Sequence, residues 1–542
     1  MNRGTSVSLL VLLGLASVAG SASGLREPSS GPARVRQGDR PSITSEIRSS
    51  KPESPADAVT AHTILVNGET LRYRATAGYL PIQRDSGQLL ANIFFVAYER
   101  LDGGQETVGA GPRARPKNQG SHRGLPLQNR PLTFAFNGGP GASSVWLHMG
   151  AFGPQRAILA NDGTALPSSN ELKDNESTWL EFTDLVFVDP VGTGFSRAAP
   201  GVDADQFYEV ERDIETSADF IRLFVTQHQR WLSPVFLVGE SYGTTRAAGL
   251  ARRLQDRYAL YPRGLILLSS ALNMGVISFD AGNDLPYVLS LPSYAAVARY
   301  HGKLGERLSF DEERFVQSVQ AWALSDYIAA LAQGAMLSGA QSRRIAETLA
   351  EYTSLPEETI ARNRLRVSPF AFAQELLSRE GRVLGLLDGR VTTPGVPSAR
   401  RTWTDPALFI VEGPFVATFN NYIRTDLGFQ TDRPYIFLSD RANESWNWGP
   451  ARRGYLNVAP ILAEAMGLDN RLRVFAAAGY YDLATPWLSQ EYVFNHLDLP
   501  ADLRRNLTFH LYPTGHQIYT SPDSLRQLTA DVKAFVAGPE AQ

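Results

Sequence analysis

Residues 239–243 of this chain read Gly239-Glu240-Ser241-Tyr242-Gly243. This stretch follows an apolar run at residues 235–238 and precedes a helix-forming run at residues 246–254, so the sequence predicts a strand, a tight turn and a helix. A serine at the apex of such a turn has its hydroxyl held clear of the backbone, and the flanking glycines let the chain bend without a Cβ collision. Ser241 is therefore a candidate nucleophile. The pattern Gly-x-Ser-x-Gly fixes only three positions and also occurs in ordinary glycine-rich turns. The rest of the chain therefore has to decide between a nucleophile turn and an ordinary turn.

Short apolar runs recur on both sides of this turn. Before it, alternating runs predict an opening set of antiparallel strands at residues 63–66, 71–77, 90–98 and 132–136. Further buried strands are predicted at residues 185–188, 235–238, 265–268, 435–438, 472–478 and 507–512. Helical segments separate the second group, a pattern typical of a mostly parallel sheet in an α/β protein.

The chain divides into five predicted segments. Residues 1–24 carry Arg3, an apolar stretch and a tail of small residues, which is typical of a signal peptide, with an uncleaved anchor as the alternative. Residues 25–61 are rich in Ser, Pro, Gly and Arg and are predicted to be a disordered leader. The catalytic core is predicted in two parts, 62–274 and 401–538, with an inserted helical cap at 275–400 and a surface loop at 109–128.

Composition excludes several classes of protein. The 542 residues include 52 Lys and Arg against 55 Asp and Glu, so no overall field attracts nucleic acid or an anionic membrane. With no cysteine, thiol catalysis, disulfides and thiolate metal sites are excluded. No segment after the signal reaches 18 uninterrupted apolar residues, so we expect no integral membrane segment. The histidines lack ligand spacing, and we expect neither a metal nor another cofactor.

A nucleophilic serine needs a histidine base and an acid, which on an α/β sheet follow it in the order Ser, Asp, His. The predicted strand at residues 472–478 leads to Asp482, and the strand at residues 507–512 leads to His516. Order and placement agree with a catalytic triad of Ser241, Asp482 and His516. Asp440 also follows a predicted strand and is the rival acid.

Attack by Ser241 creates an oxyanion that needs two backbone N–H donors. The residue after the nucleophile, Tyr242, supplies one of them. The predicted strand at residues 132–136 runs directly into Asn137-Gly138-Gly139-Pro140-Gly141, where glycines let the backbone approach a ligand closely. We therefore predict Gly139 as the second donor, with a plain tight turn as the alternative.

Several of these stretches resemble, in the same order, the signatures of the serine carboxypeptidase family. They are residues 137–144, 189–196, 239–243, 481–482 and 515–516. The resemblance covers roughly residues 68–536, and residues 291–294 and 482–486 are similar to the bacterial branch. It implies an α/β-hydrolase fold with a mostly parallel central sheet and an inserted helical cap.

The resemblance also implies a site for the substrate's terminal carboxylate. In that family, the residues at the positions of Asn137 and Glu240 bind this group. A substrate carboxylate can approach Glu240 only if the two acids share a proton, which requires a raised pKa and predicts an acidic pH optimum for peptides.

Three positions depart from the family pattern. Ala135 stands where familiar members carry a tryptophan, and Ala151 stands where they often carry a second glutamate. Gln517 replaces a methionine after the histidine. One wall of the carboxylate site and its acid pair are therefore predicted to be incomplete, whereas the triad is untouched.

The main interpretation is an exported serine carboxypeptidase, periplasmic or extracellular, that releases C-terminal amino acids from peptides through an acyl-enzyme. An esterase or acyltransferase on the same fold would keep every catalytic residue. A non-catalytic binding protein is less favoured because all triad positions are present. The sequence leaves the side-chain preference and the oligomeric state open.

Overall fold

The computed structural model describes residues 57–101, 129–160, 162–166, 170–305, 312–395, 405–451 and 455–538. The predicted signal peptide at 1–24, the leader up to residue 56 and the loop at 109–128 lie outside the described residues. Strand β1 (Ala58–Val66) begins within the predicted leader at 25–61. The prediction of disorder is wrong for residues 58–61, because these residues pair antiparallel with the following strand.

One large sheet forms the centre of the structure. Its strands, after β1, are β2 (Glu69–Gln83), β3 (Leu89–Arg100), β4 (Leu132–Phe136), β7 (Asp184–Val188), β8 (Arg197–Ala198), β9 (Val235–Glu240), β10 (Gly264–Leu268), β13 (Arg473–Gly479) and β14 (Leu507–Tyr512). Their order across the sheet is β1-β2-β3-β7-β4-β9-β10-β13-β14, and β8 pairs with β3. The short strands β5 (Gln155–Ala157) and β6 (Leu172–Asp174) form a separate pair.

The direction of the strands changes across this sheet. β1, β2 and β3 pair antiparallel, as predicted, and β3 also pairs antiparallel with β7. β4 is parallel to both β7 and β9, so the prediction that it belongs to the antiparallel set is wrong. From β7 to β14 every neighbouring pair in the order is parallel. The predicted mostly parallel α/β architecture is confirmed.

The strand predicted at residues 435–438 does not form. These residues make only isolated bridges, from Ile436 to Gly194 and from Leu438 to Ala142. Their apolar side chains pack under the sheet, but their backbone bonds to two loops instead of to a strand. An apolar run of this length fits a buried loop as well as a strand.

Helices cover both faces of the sheet. They are α1 (Val210–Gln227), α2 (Tyr242–Tyr258), α9 (Pro406–Thr425), α10 (Asp440–Glu444), α11 (Ala459–Leu468), α12 (Trp487–Asn495), α13 (Ala501–Arg504) and α14 (Pro522–Ala537). Alternate residues of β10 enter opposite cores: Leu265 and Leu267 pack with α1 and α2, whereas Ile266 and Leu268 pack with α9 and α14. This period of two is what a strand buried on both faces requires.

A helical segment leaves the sheet after β10 and returns before α9. It contains α3 (Leu285–Tyr300), α4 (Glu312–Trp322), α5 (Ile328–Gln333), α6 (Gly339–Thr353), α7 (Glu357–Arg362) and α8 (Pro369–Glu375). These helices fall within residues 275–400, for which the sequence predicts an inserted cap. A short antiparallel pair that was not predicted, β11 (Arg382–Leu384) and β12 (Thr392–Pro394), closes the segment.

Candidate active site

Ser241 lies at the turn between β9 and α2. Its backbone has φ +58° and ψ −128°, a conformation that non-glycine residues rarely adopt. A Cβ at Gly239 would collide with the carbonyl of Gly243, and one at Gly243 would collide with the carbonyl of Phe136. The predicted strand, tight turn and helix are confirmed, and the backbone itself explains why both flanking residues are glycines.

Asp482 and His516 form a buried pair. His516 Nδ1 lies 2.8 Å from Asp482 Oδ2, and Asp482 is fully buried. The carboxylate also accepts hydrogen bonds from the backbone N–H groups of Ala484 and Thr485, at 2.8 and 2.9 Å, and from the Thr485 hydroxyl at 2.7 Å. With Nδ1–H donating to the carboxylate, Nε2 is the nitrogen that can accept a proton.

The charge around the imidazole favours its protonated form. Burial by itself lowers the pKa of His516, but the neighbouring carboxylates of Asp482, Glu240 and Asp405 raise that pKa above its ordinary value. A base that gains stability on protonation suits a group that takes a proton from a serine.

The end of β10 connects the serine turn to the histidine loop. The Ser241 N–H donates to the Leu268 carbonyl at 2.9 Å, and the Ser269 hydroxyl donates to the His516 carbonyl at 2.6 Å. Both loops therefore lie at the carboxyl edge of the same parallel strands, where α/β sheets bind ligands. In the described part of the chain the Ser241 hydroxyl makes no side-chain hydrogen bond, and the bond between nucleophile and base is often long before substrate binds.

The segment that returns from the helical insertion holds the acid and base loops together. The hydrogen bonds are His516 N to Leu387 O (2.6 Å), Gly515 N to Asp388 Oδ2 (3.1 Å), Leu483 N to Leu386 O (2.9 Å) and Gly389 N to Tyr481 O (2.9 Å). Sequence reasoning missed this contact because partners that are more than 90 positions apart leave no local signal.

The two predicted oxyanion donors lie on backbones in close contact. A Cβ at Gly138 would be 2.6 Å from the Tyr242 nitrogen and 2.7 Å from the Glu240 carbonyl oxygen, so the loop after β4 touches the serine turn. Among the described residues, neither the Gly139 N–H nor the Tyr242 N–H has an acceptor. Two free, neighbouring N–H groups beside a serine can stabilise an oxyanion.

Asn137 and Glu240, the predicted carboxylate-binding residues, are brought together. Asn137 Nδ2 donates to Glu240 Oε1 at 3.3 Å, while its Oδ1 accepts from the Leu147 N–H at 3.1 Å, which fixes the orientation of the amide. Burial raises the pKa of Glu240 to about 7, against the lowering effects of His516, Tyr519 and Asn137. Glu240 therefore keeps a proton well above the range of an exposed carboxyl group.

A buried ion pair beneath this site was not predicted. Arg246 Nε lies 2.8 Å from Asp213 Oδ2, and Arg246 also donates to the Asn137 carbonyl at 2.7 Å. Arg246 is fully buried, although in the sequence it reads as an ordinary residue of an exposed helix. Thr485 was also missed, although it lies only three positions after Asp482.

The three departures from the family pattern are all buried. Ala135 lies in β4 between Phe187 and Val238, and Ala151 lies in the π-helical turn Trp146–Phe152. Gln517 begins the 3-10 turn Ile518–Thr520 directly after His516. Neither alanine brings a polar side chain to the site.

The rival acid and a metal site receive no support. Asp440 is exposed at the start of α10 and, among the described residues, makes no hydrogen bond to His516, so its interpretation as the acid is wrong. Its strand of origin does not form, which removes the reason for that interpretation. No group of three His, Asp or Glu side chains that could hold a metal ion occurs within the described ranges.

Comparisons with known proteins bear on the fold and on part of the site. The family model described as serine carboxypeptidase matches residues 121–268. A pheromone-processing carboxypeptidase of Aspergillus niger is 35% identical over 156 residues, which cover 26% of this chain and 22% of that protein. A human retinoid-inducible serine carboxypeptidase is 34% identical over 139 residues, covering 25% and 27%. The chain thus matches about a quarter of the length of these relatives.

The fold extends further than this sequence similarity. The crystal structure of a prohormone-processing carboxypeptidase from Saccharomyces cerevisiae aligns with a TM-score of 0.51, covering 85% of this chain and 91% of that one, at 17% identity. This likeness confirms the predicted α/β-hydrolase fold. The family match spans Asn137, Gly139 and the serine turn but ends before Asp482 and His516, and the bacterial branch stays a prediction. Over residues 121–268, this chain is similar to the serine carboxypeptidase family.

Proposed function

We propose that this protein is a serine carboxypeptidase that releases C-terminal amino acids from peptides through an acyl-enzyme. The observation that carries the proposal is the 2.8 Å hydrogen bond between His516 and the buried Asp482, at the sheet edge where Ser241 stands on a strained turn. The family match over residues 121–268, a range that includes Ser241, also supports the proposal.

In the proposed reaction, the Ser241 hydroxyl attacks the carbonyl carbon of the last peptide bond and gives its proton to His516 Nε2. The oxyanion accepts hydrogen bonds from the N–H groups of Gly139 and Tyr242, and Asp482 stabilises the imidazolium. His516 then protonates the leaving amine, which departs as the free amino acid. A water molecule, deprotonated by His516, hydrolyses the acyl-enzyme and restores the serine.

Selection of the chain end is assigned to Asn137 and Glu240. The Asn137 amide donates one hydrogen bond to the terminal carboxylate of the peptide. Glu240 donates a second only while it is protonated, and its pKa of about 7 keeps it so at acidic pH. This arrangement supports the prediction that peptide hydrolysis is fastest on the acidic side of neutrality.

An N-blocked dipeptide with a free carboxyl group, compared with its amide, tests the proposal. Because hydrogen bonds to charged groups are worth about 1.5–3 kcal/mol, we expect kcat/KM to be about 10- to 100-fold higher for the acid. Ser241→Ala abolishes both reactions, whereas Ser325→Ala, at an exposed helical serine, leaves them unchanged.

Other results of these assays would indicate a different function. Equal hydrolysis of acid and amide, or transfer of the acyl group to an added alcohol, would instead indicate an esterase or acyltransferase. Failure of a fluorophosphonate probe to label Ser241 in folded protein would indicate a non-catalytic binding protein.

We also propose that the protein is exported, to the periplasm or the extracellular space, through residues 1–24. In the part of the chain that the structure describes, no helix is both long enough and apolar enough to cross a bilayer. N-terminal sequencing of the exported protein should give a start near residue 25. Recovery of intact Met1 in the mature protein would contradict the proposal.

A further inference from the structure

In the described part of the chain, two polar atoms close to the Asn137 amide are buried without a hydrogen-bond partner. They are Glu240 Oε2 and the Tyr519 hydroxyl oxygen. Glu240 is 4% exposed and Tyr519 is fully buried, so bulk water does not compensate for the missing partners. Buried polar groups are nearly always hydrogen-bonded, and a native exception needs an explanation such as a ligand.

The Tyr519 ring is fixed so that its hydroxyl faces the carboxylate-binding residues. Tyr519 lies in the 3-10 turn Ile518–Thr520, three positions after His516. The ring packs against Gly150, where a Cβ would be only 2.7 Å from Tyr519 Cε2 and 2.6 Å from Phe415 Cζ. The hydroxyl lies near the Glu240 carboxyl and the side-chain amides of Gln517 and Asn137, but not in hydrogen-bond geometry with any of them. Asn137, Glu240 and Tyr519 therefore converge from three separate elements.

The chemistry of these groups suits one kind of ligand. A carboxylate carries no proton, so it needs donors on each side, and the Asn137 amide and the Tyr519 hydroxyl are donors at any pH in use. Burial, followed by the nearby Glu240, raises the pKa of Tyr519 well above its ordinary value, so the phenol keeps its proton. Ala151, next to Gly150, offers only a methyl group.

We infer that the Tyr519 hydroxyl donates a hydrogen bond to the C-terminal carboxylate of the substrate, beside Asn137 and Glu240, and thereby selects peptides with a free chain end. The inference rests on the proposed carboxypeptidase function and adds a specificity-determining residue to it. Because Tyr519 stays protonated when Glu240 titrates, part of the selectivity for the free acid persists above pH 7.

Tyr519→Phe tests this inference. The change removes an oxygen that has no hydrogen-bond partner among the described residues and keeps the ring against Gly150, so we expect the variant to fold. We expect the ratio of kcat/KM for the N-blocked dipeptide acid over its amide to fall about 10- to 100-fold, mainly through a higher KM for the acid. The melting temperature and fluorophosphonate labelling of Ser241 report that the variant is folded.

Tyr512→Phe is the matched control. Tyr512 is also buried, but its hydroxyl donates to Asp531 Oδ2 at 2.7 Å on α14, so its removal should leave the acid-to-amide ratio unchanged. A folded Tyr519→Phe variant that keeps the wild-type ratio would overturn the role of Tyr519. Equal rates on acid and amide in the wild-type protein would instead overturn the proposed function, so the two failures are distinguishable.

Discussion

Replacement of Gly138 by alanine should push the loop after β4 away from the serine turn and weaken the proposed oxyanion site. The new Cβ would lie 2.6 Å from the backbone nitrogen of Tyr242, 2.7 Å from the backbone carbonyl oxygen of Glu240 and 2.8 Å from Ser241 Cβ. Ordinary contacts of a Cβ begin at 3.4 Å, so the loop and the serine turn must separate by about 0.8 Å. The obstructing nitrogen and oxygen belong to the backbone, so no flexible side chain can move aside instead.

The magnitude follows from the hydrogen bonds that this separation lengthens. An oxyanion needs its donors at about 2.7–3.1 Å, and an increase of about 0.8 Å takes either bond beyond useful range. Loss of one such donor costs about 10²–10³ in kcat, or about 2.7–4 kcal/mol of transition-state stabilisation. We therefore expect Gly138→Ala to lower kcat for the dipeptide acid at least about a hundredfold, with a smaller change in KM.

The assay is steady-state hydrolysis together with thermal unfolding. Gly467→Ala is the control, because in α11 this residue is exposed and a Cβ there meets nothing within 4 Å. That variant should keep wild-type kcat and gain about 0.5–1 kcal/mol of stability, since alanine favours a helix over glycine. A folded Gly138→Ala protein with kcat within threefold of wild type would refute the assignment of the oxyanion donors.

Two further predictions concern the acid side chains around the triad. The folded-state pKa of Glu240, about 7, is raised above its ordinary value of 4.5, so its contribution of about 3 kcal/mol to the free energy of unfolding is present below pH 4.5 and lost as the pH rises through 7. Urea unfolding should therefore be less pH-dependent between 5 and 8 in Glu240→Gln, and an unchanged dependence would contradict the raised pKa. Asp388→Asn should lower kcat about tenfold, because its carboxylate holds the Gly515 N–H at 3.1 Å beside His516. Asp469→Asn changes a similar Asp-x-Arg pair outside the site and should have no effect on kcat, so an equal loss in both variants would remove the positional role of Asp388.

The features that were predicted correctly depend on local backbone constraints. The serine turn requires glycines at fixed positions, and the strands before it and before Asp482 and His516 are continuous apolar runs. Both kinds of signal lie within a few residues of one another. The order Ser, Asp, His adds a constraint that an α/β sheet imposes on any such triad.

The predictions that were wrong concern segments whose hydrogen-bond partners are distant in sequence. Residues 435–438 have the composition of a strand, but their backbone bonds to the loops at Gly194 and Ser143. The direction of β4 was also misjudged, because five apolar residues read the same whether their neighbours run parallel or antiparallel. Neither feature is encoded within the segment that shows it.

The α/β class and the strand, turn and helix around Ser241 follow from the local sequence, because they depend on chain geometry over a few residues. Ser241, Asp482 and His516 stay a predicted triad, which rests on strand order as well. Two features are visible only in the tertiary structure. Leu387 and Asp388 accept hydrogen bonds from the backbone of the loop that carries His516, and Tyr519 faces Glu240. The physical reason is that a hydrogen bond or an unpartnered buried oxygen exists only once distant segments have been packed together and water has been removed from between them.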